Sequence, residues 1–158
     1  MAFDSLAQRR IMGHFATGVT VVTAHQNGEI YGMTANAVTS LSLKPPLVLV
    51  AVDKTAAMHA SLTESRCFAL NILTQEQEPI SRRFAMRGPK EVNDLKWIKA
   101  ASGAPILADA LAYVDCRLAE ILPGGDHDIF IGEILAGDSR EGAPLLYYCG
   151  KYRRLAES

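Results

Sequence analysis

Gly124-Gly125-Asp126-His127 sets a histidine directly after a Gly-Gly turn, with an aspartate beside it. An imidazole is neutral or cationic near pH 7, so His127 can donate to a ligand or supply a proton. A hairpin-end histidine without a ligand is the plainer reading of the same residues. Asp53-Lys54-Thr55 closes an apolar run and precedes a helical pattern. Backbone N–H groups, an ammonium and a hydroxyl converge there, which suits a phosphate, although N-capping by Asp53 or Thr55 needs no ligand. Asn71 interrupts an apolar strand, where its amide must bond either backbone or a polar ligand. Gly32 to Ser42 is small and hydroxylated. Such a stretch either lets a flat ligand reach the backbone or forms a polar edge strand and turn. Arg82 and Arg83 are solvated charges or phosphate partners. His14, His25 and His59 lie in helix or turn contexts, and no cysteine pairs with a histidine as a nucleophilic dyad.

The elements that must position these groups follow from periodicity. Asp4 to His14 reads as a helix capped by Asp4. Val19 to Thr23 is β-branched, and Asn27-Gly28 then signals a hairpin returning through Glu29 to Met33. Lys44-Pro45-Pro46 marks a loop, and the uniformly apolar Leu47 to Val52 predicts a strand buried on both faces. A short helix over Ala56 to Glu64, capped by Thr55 or Asp53, leads to a strand over Cys67 to Leu73. Thr74 and Gln77 have the spacing of a capping box, opening a helix that runs toward Phe84 or Ala85. Arg87 to Ala104 is polar and irregular apart from Trp97-Ile98, and reads as a surface excursion. Tyr113 to Leu122, a turn at Pro123-Gly124-Gly125, and Asp128 to Leu135 predict a long hairpin, with a last strand over Leu145 to Tyr148. Many hairpin-joined strands and few helices predict a mainly β, closed or nearly closed antiparallel barrel.

Composition sets the outer limits. The chain has 158 residues, 49% of them apolar and 21% charged, so one domain over 1–158 with a sizeable core is expected. A net charge of −1 argues against nucleic acid or an anionic membrane as partner. No apolar run reaches the roughly 18 residues of a membrane span, and the N-terminus has no signal-peptide pattern. Three scattered cysteines form no C-x-x-C pair, against both a disulfide framework and a zinc site, so the cytoplasm is the expected compartment. The dinucleotide fingerprint G-x-G-x-x-G, the P-loop, G-x-S-x-G and H-E-x-x-H are all absent from the sequence.

Five blocks, in order along the chain, resemble the short-chain flavin reductase family. They are Phe15-Ala16-Thr17-Gly18-Val19-Thr20-Val21-Val22-Thr23, Gly32-Met33-Thr34-Ala35-Asn36 leading into Ser40-Leu41-Ser42-Leu43-Lys44-Pro45-Pro46-Leu47, Cys67 to Leu73, Gly125-Asp126-His127 into Ile129-Phe130-Ile131-Gly132-Glu133, and Pro144 to Tyr148 with Gly150-Lys151-Tyr152-Arg153. Each block is modest alone, and their joint occurrence is specific.

The resemblance implies the FMN-binding split barrel with a few flanking helices. It implies a homodimer with one flavin, FMN or FAD, held near the interface of each subunit. Met33, Thr34, Ala35 and Asn36 would lie along the isoalloxazine with Ser40 nearby, and Asp53, Lys54 and Thr55 on the ribityl-phosphate side. Asn71 and Leu73 would meet the ring or ribityl chain, and Ser81, Arg82 and Phe84 would close over the phosphate end. His127 would stand on the nicotinamide side, where Tyr152 would stack or cover. The implied reaction is hydride transfer from NADH or NADPH to the flavin, with reduced flavin diffusing to a partner monooxygenase. Hydride transfer needs alignment more than a strong acid or base, which agrees with the lack of paired carboxylates. Two competing readings remain at this level. One is a split-barrel reductase with a dedicated acceptor such as a cobalt corrinoid, the other a flavin-binding electron carrier without turnover.

Overall fold

A computed structural model describes residues 1–157 of the chain. In chain order the elements are α1 (Ser5–Met12), β1 (Thr17–Gly18), β2 (Thr20–Gln26), β3 (Glu29–Ala35), β4 (Val38–Leu43) and β5 (Pro46–Asp53). There follow α2 (Ala57–Ser65), β6 (Cys67–Ile72), a 3-10 turn over Gln75–Gln77, α3 (Glu78–Ala85), β7 (Trp97–Lys99) and β8 (Pro105–Leu107). The last strands are β9 (Ala112–Gly124), β10 (His127–Ser139), β11 (Leu146–Tyr148) and β12 (Lys151–Arg153). Local chemistry accounts for many of the ends. The Asp4 carboxylate accepts from the N–H groups of Leu6 and Ala7 and starts α1. The Thr74 N–H donates to Gln77 Oε1 at 2.9 Å, as the capping-box spacing predicts. Asn27 and Gly28 turn the first hairpin with φ of 52° and 79°.

Seven strands form one antiparallel sheet in the order β3-β2-β6-β9-β10-β5-β4. The strands at its two edges, β3 and β4, are joined in sequence by Asn36 and Ala37 alone. Laid flat, seven strands span about 29 Å, whereas the step from Ala35 to Val38 covers at most about 11 Å. The sheet therefore rolls until its edges meet at Asn36-Ala37. The Ala51 N–H donates to the Ala37 carbonyl at 3.0 Å and pins the seam.

Rolling divides each strand into an inward and an outward row. Val22, Ala24, Val48, Val50, Val52, Phe68, Leu70, Cys116, Leu118 and Phe130 fill the interior, which Met58 and Leu62 of α2 plug. Val19, Val21, Leu73, Phe84, Leu107, Ala110 and Leu145 make a second cluster under α3 and the C-terminal strands. In β5 the uniform apolarity has a different cause from the burial on both faces that the run predicts. Val48, Val50 and Val52 are buried, while Leu47, Leu49 and Ala51 are half-buried, and Leu49 and Ala51 line an outer groove. The long hairpin turns at Gly125-Asp126, one residue later than expected. His127 is laddered on both sides, opposite Gly124 of β9 and Asp53 of β5, and this extends both strands. Four short strands, β1, β7, β8 and β12, add to those expected, and β4 takes the edge-strand alternative for the Gly32 to Ser42 stretch.

The segment 87–104 is fastened to the barrel rather than merely laid over it. Val92, Leu95 and Trp97 pack on the second cluster, and Arg83 holds Asp94 at 2.7 and 2.9 Å. The guanidinium keeps the Asp94 carboxyl below its ordinary value. Asp115, wholly buried, accepts from the Ser102 N–H at 2.8 Å and from the Ser102 hydroxyl. Beside it, burial and then the Asp115 charge push the Cys116 thiol up to about 12. A thiol so held is not a nucleophile near neutrality. In the native protein at pH 8, Cys116 is expected to resist thiol-specific alkylation until urea unfolds the chain, as peptide mass mapping would show. Prompt labelling of Cys116 under native conditions would contradict this packing.

Candidate functional site

An apolar groove of about 720 Å³ opens on the outer face where the sheet closes on itself. Its floor carries Leu49 and Ala51 of β5 and Ile129 of β10. Its walls are the Phe15 to Thr20 segment and the Asn36 to Thr39 seam. Alternation continues the same outward rows to Asp53, two residues past Ala51, and to His127, two residues before Ile129. The groove therefore runs into the corner that carries the two charged turns. Thr17 Oγ1 is buried without a hydrogen-bond partner, the only such side-chain atom among the described residues, and Thr17 lines this groove. A flat ring system with polar atoms on its edge fits such a surface, since it covers the apolar floor and offers the orphan hydroxyl a partner.

At the corner, β5 meets α2 and the β9–β10 turn. Asp53 Oδ1 accepts from both the N–H and the hydroxyl of Thr55 at 2.7 Å. Those two bonds, with the nearby charges of His127 and Arg87, hold the Asp53 carboxyl below its ordinary value. Neither Asp53 nor Thr55 caps α2, as the sequence had suggested. The N-cap is Ala56, with no side-chain bond, because Asp53 is already committed to Thr55. The first turn of α2 is thus left without a side-chain acceptor, with Lys54 exposed beside it. The Lys54 N–H donates to the Asp126 carbonyl at 3.1 Å, while its ammonium lies 3.9 Å from Asp128. His127, with 41% of its side chain exposed, is hydrogen-bonded through Nδ1 to the Asp126 carboxylate at 2.7 Å, which leaves Nε2 for a ligand. On the opposite row of β10, Asp128 is bound by His59 at 2.7 Å, and His59 packs edge-on against Phe130.

A third group lies where β3, α3 and β12 meet. The Thr34 hydroxyl donates to the Ser81 carbonyl at 2.6 Å, and Ser81 Oγ bonds the Tyr152 hydroxyl at 2.7 Å. The Arg82 guanidinium lies 4.8 Å from the centre of the Tyr152 ring and is paired with Glu78. Gly32 of β3 approaches α3 so closely that a Cβ there would stand 2.7 Å from the Phe84 ring.

The residues singled out from sequence thus divide sharply. Asn36 lines the groove, Asp53, Lys54, Thr55 and His127 share the corner, and Thr34, Arg82 and Tyr152 share the third group. Met33 packs toward the barrel interior and Ala35 is buried. Ser40 is exposed opposite Val48 in register, so it shares that residue's face, whereas Thr39, opposite Leu49, lines the groove. Asn71, Leu73, Ser81 and Phe84 are 0–1% exposed and reach no surface. Asn71 takes the first of its two sequence alternatives. Its Nδ2 donates to the Val21 carbonyl and Thr23 Oγ1, and its Oδ1 accepts from the Leu107 N–H, each at 2.9 Å. Thr17 and Thr39 were missed as lining residues. Thr17 lies within a block that carries the family resemblance and Thr39 within the hydroxylated Gly32 to Ser42 stretch, and the β4–β5 register shows that Thr39 shares the groove face of Leu49.

Comparison with known proteins adds an independent finding. The family model described as flavin reductase like domain matches residues 12–156. The reductase component of a 4-nitrophenol 4-monooxygenase/4-nitrocatechol 2-monooxygenase from Rhodococcus opacus is 40% identical over 149 residues, covering 94% of this chain and 80% of that protein. An NADH-dependent FAD reductase from Streptomyces globisporus is 42% identical over 161 residues, covering 97% and 87%. The solved structure of the Streptomyces globisporus C-1027 NADH:FAD oxidoreductase SgcE6 with NAD and FAD fragments superposes with a TM-score of 0.90, covering 97% of this chain and 93% of that one at 42% identity.

The bonding of Asn71 separates a structural role from a ligand-binding one. Asn71→Ala strands the buried Leu107 N–H and removes one partner each from the Val21 carbonyl and the Thr23 hydroxyl, at about 1–3 kcal/mol for a stranded group. A urea midpoint lowered at unchanged slope is expected, with flavin affinity per folded molecule preserved in fluorescence titration. Lost flavin affinity at unchanged stability would return Asn71 to the ligand.

Proposed function

The chain belongs to the family of flavin reductase like domains, and from that membership we propose that the groove and its charged corner are where flavin meets reduced nicotinamide. The protein is an NAD(P)H-dependent flavin reductase that reduces FMN or FAD and supplies the reduced flavin to a monooxygenase. One observation carries the assignment of the site: an apolar groove with an unpartnered Thr17 hydroxyl runs directly into the His127–Asp53 corner.

A bound flavin supplies the hydride-accepting chemistry, and the protein supplies alignment and electrostatics. Leu49, Ala51 and Ile129 offer a flat apolar floor that excludes water from one side of the ring. Asn36 and Thr17 give hydrogen-bonding groups at its edge. Lys54 and the uncapped first turn of α2 offer a cation and free N–H groups for the phosphate, with Thr55 beside them. His127, oriented through Nδ1 by Asp126, presents Nε2 to the nicotinamide carboxamide. Asn71, Leu73, Ser81 and Phe84 act from behind, holding the strands and α3 that carry the exposed groups. No step requires a strong acid or base, so positioning is the main contribution of the protein.

We also read the active form as a homodimer. α1 buries none of its residues, and Leu6, Ile11, Met12 and Phe15 are exposed on it or just after it, next to the groove. Large apolar side chains clustered in this way mark a protein contact. The free thiols of Cys67, Cys116 and Cys149 agree with a reducing cytoplasm. No helix among the described residues is long and apolar enough to cross a membrane.

Anaerobic stopped-flow with NADH and excess FMN or FAD tests the activity. Catalytic bleaching of flavin beyond one equivalent per chain is expected, and bleaching limited to one bound equivalent would mean a dedicated acceptor or a carrier. His127→Ala should lower kcat/KM for the nicotinamide about tenfold, from the loss of roughly one hydrogen bond, without changing flavin affinity. An unchanged rate would remove His127 from the site. Sedimentation equilibrium should give two chains per particle, and Phe15→Glu should shift it toward one. A wild-type monomer would overturn the dimer.

A further inference from the structure

Two histidine–aspartate pairs flank the strand-to-helix corner, and they stand on opposite faces of the sheet. His127 and Asp126 form the outward one. The second joins α2 to β10, with His59 Nε2 at 2.7 Å from Asp128 Oδ2. Asp128 stands opposite Val52, a core residue, so it belongs to the inward row of β10. His59 packs against Phe130, two residues further along that row. An ionised carboxylate only accepts, so the imidazole donates and occupies one of its two oxygens. The other oxygen, Oδ1, lies 3.9 Å from the Lys54 ammonium. That separation is too long for a hydrogen bond and short enough for charge attraction. With 18% of its side chain exposed and a partner on α2, the acid is fixed, while Lys54 is 48% exposed and keeps its freedom. The other acids of the corner are engaged elsewhere, Asp53 by Thr55 and Asp126 by His127. Among the described residues, Asp128 is the one acid that forms an ion pair with Lys54.

We propose that Asp128, anchored by His59, is a positioning residue that limits how much of the Lys54 charge a ligand phosphate receives at the corner. The carboxylate attracts the ammonium toward the inward row, on the face opposite His127 and Asp53. Held by α2, Asp128 cannot follow the lysine outward, so a phosphate must draw the ammonium away from it. A half-exposed pair of this kind is worth up to about fivefold in an equilibrium. That is enough to loosen a flavin that has to leave again, and too little to prevent its binding. The inference rests on the reading above that Lys54 meets the flavin phosphate.

Riboflavin, which is FMN without its phosphate, isolates the effect. Both flavins are titrated into the full-length protein by fluorescence at low ionic strength, and the ratio of FMN to riboflavin affinity is compared among variants. Asp128→Asn removes the charge while its amide oxygen still accepts from His59. The ratio should rise about threefold, whereas a residue that merely holds the corner together would lower the affinity of both flavins alike. Lys54→Ala should lower the ratio, and in that background Asp128→Asn should no longer raise it. If Lys54→Ala lowers the ratio but Asp128→Asn leaves it unmoved, or raises it equally without Lys54, the inference is overturned and the phosphate site stands. If Lys54→Ala alone leaves the ratio unchanged, the phosphate is wrongly placed and the inference falls with that reading. Should Asp128→Asn fail to fold, His59→Ala carries the test in the opposite sense. Asp128 is then released toward Lys54 and the ratio should fall, and an unmoved ratio again overturns the inference.

Discussion

The two-residue link at Asn36-Ala37 is the constraint from which the architecture follows. It joins strands that lie at opposite edges of a seven-stranded sheet, so the sheet has no freedom to stay open. Once the edges meet, each strand acquires a row facing a closed interior and a row facing outward. The outward rows of β5 and β10 would otherwise be ordinary sheet surface. The seam and the Phe15 to Thr20 segment flank them and make them the floor of a groove. The same closure puts Asn36, a small polar residue in a two-residue connection, at the edge of that groove. A longer link would let the edges separate, and the floor and its walls would lose their fixed relation.

A second set of buried polar groups keeps the long excursion in register with the barrel. Thr23, Ala69 and Asp115 stand opposite one another across β2, β6 and β9, as do Val21, Asn71 and Tyr113. From this outward patch Thr23 donates to the Pro105 carbonyl, Asn71 accepts from Leu107, and Asp115 receives Ser102. These bonds are shielded from water, so breaking one strands a partner at about 1–3 kcal/mol. Exposed pairs such as Arg82–Glu78 contribute about 0.2–1 kcal/mol each. The segment 87–107 is therefore tied down by three short polar side chains more firmly than by any surface ion pair. They also explain why polar residues occur within strands that otherwise read as apolar.

Much of this was legible in the residues before any coordinates. Local signals carried the hairpin at Asn27-Gly28, the capping box at Thr74 and Gln77, and the Asp4 cap, because each is a property of a few neighbouring residues. Whatever depended on a partner strand was not legible. The apolar run Leu47 to Val52 predicts burial on both faces, and only the β4–β5–β10 pairing shows that one face meets a groove instead of a core. The same pairing carries the long hairpin to Gly125-Asp126 and selects Thr39 over Ser40 as a lining residue. Asn71 shows the limit most clearly. Its two alternatives are chemically equivalent in sequence, and Leu107, 36 positions away, decides between them.

The distribution of rigidity over the site also bears on its chemistry. The groups behind the site, Asn71, Leu73, Ser81 and Phe84, are buried and fixed, while Asn36, Lys54, Thr55 and His127 stand on the seam and the corner with much of their surface in water. A reaction needing a tuned acid or base would be expected to hide that group and shift its proton affinity. In this protein the largest upward displacement belongs to Cys116, inside the barrel and away from the groove, where burial makes the thiol inert. A site that binds two flat rings and brings a donor carbon to an acceptor nitrogen has different needs: a floor that does not move, edge groups that read the rings, and an opening through which both partners enter and leave. A closed sheet provides the first through its outward rows, and a two-residue seam and a tight strand-to-helix corner provide the second. Because the edge groups are exposed, a flavin bound in the groove as we propose would leave without any element having to open, as supplying a second enzyme requires.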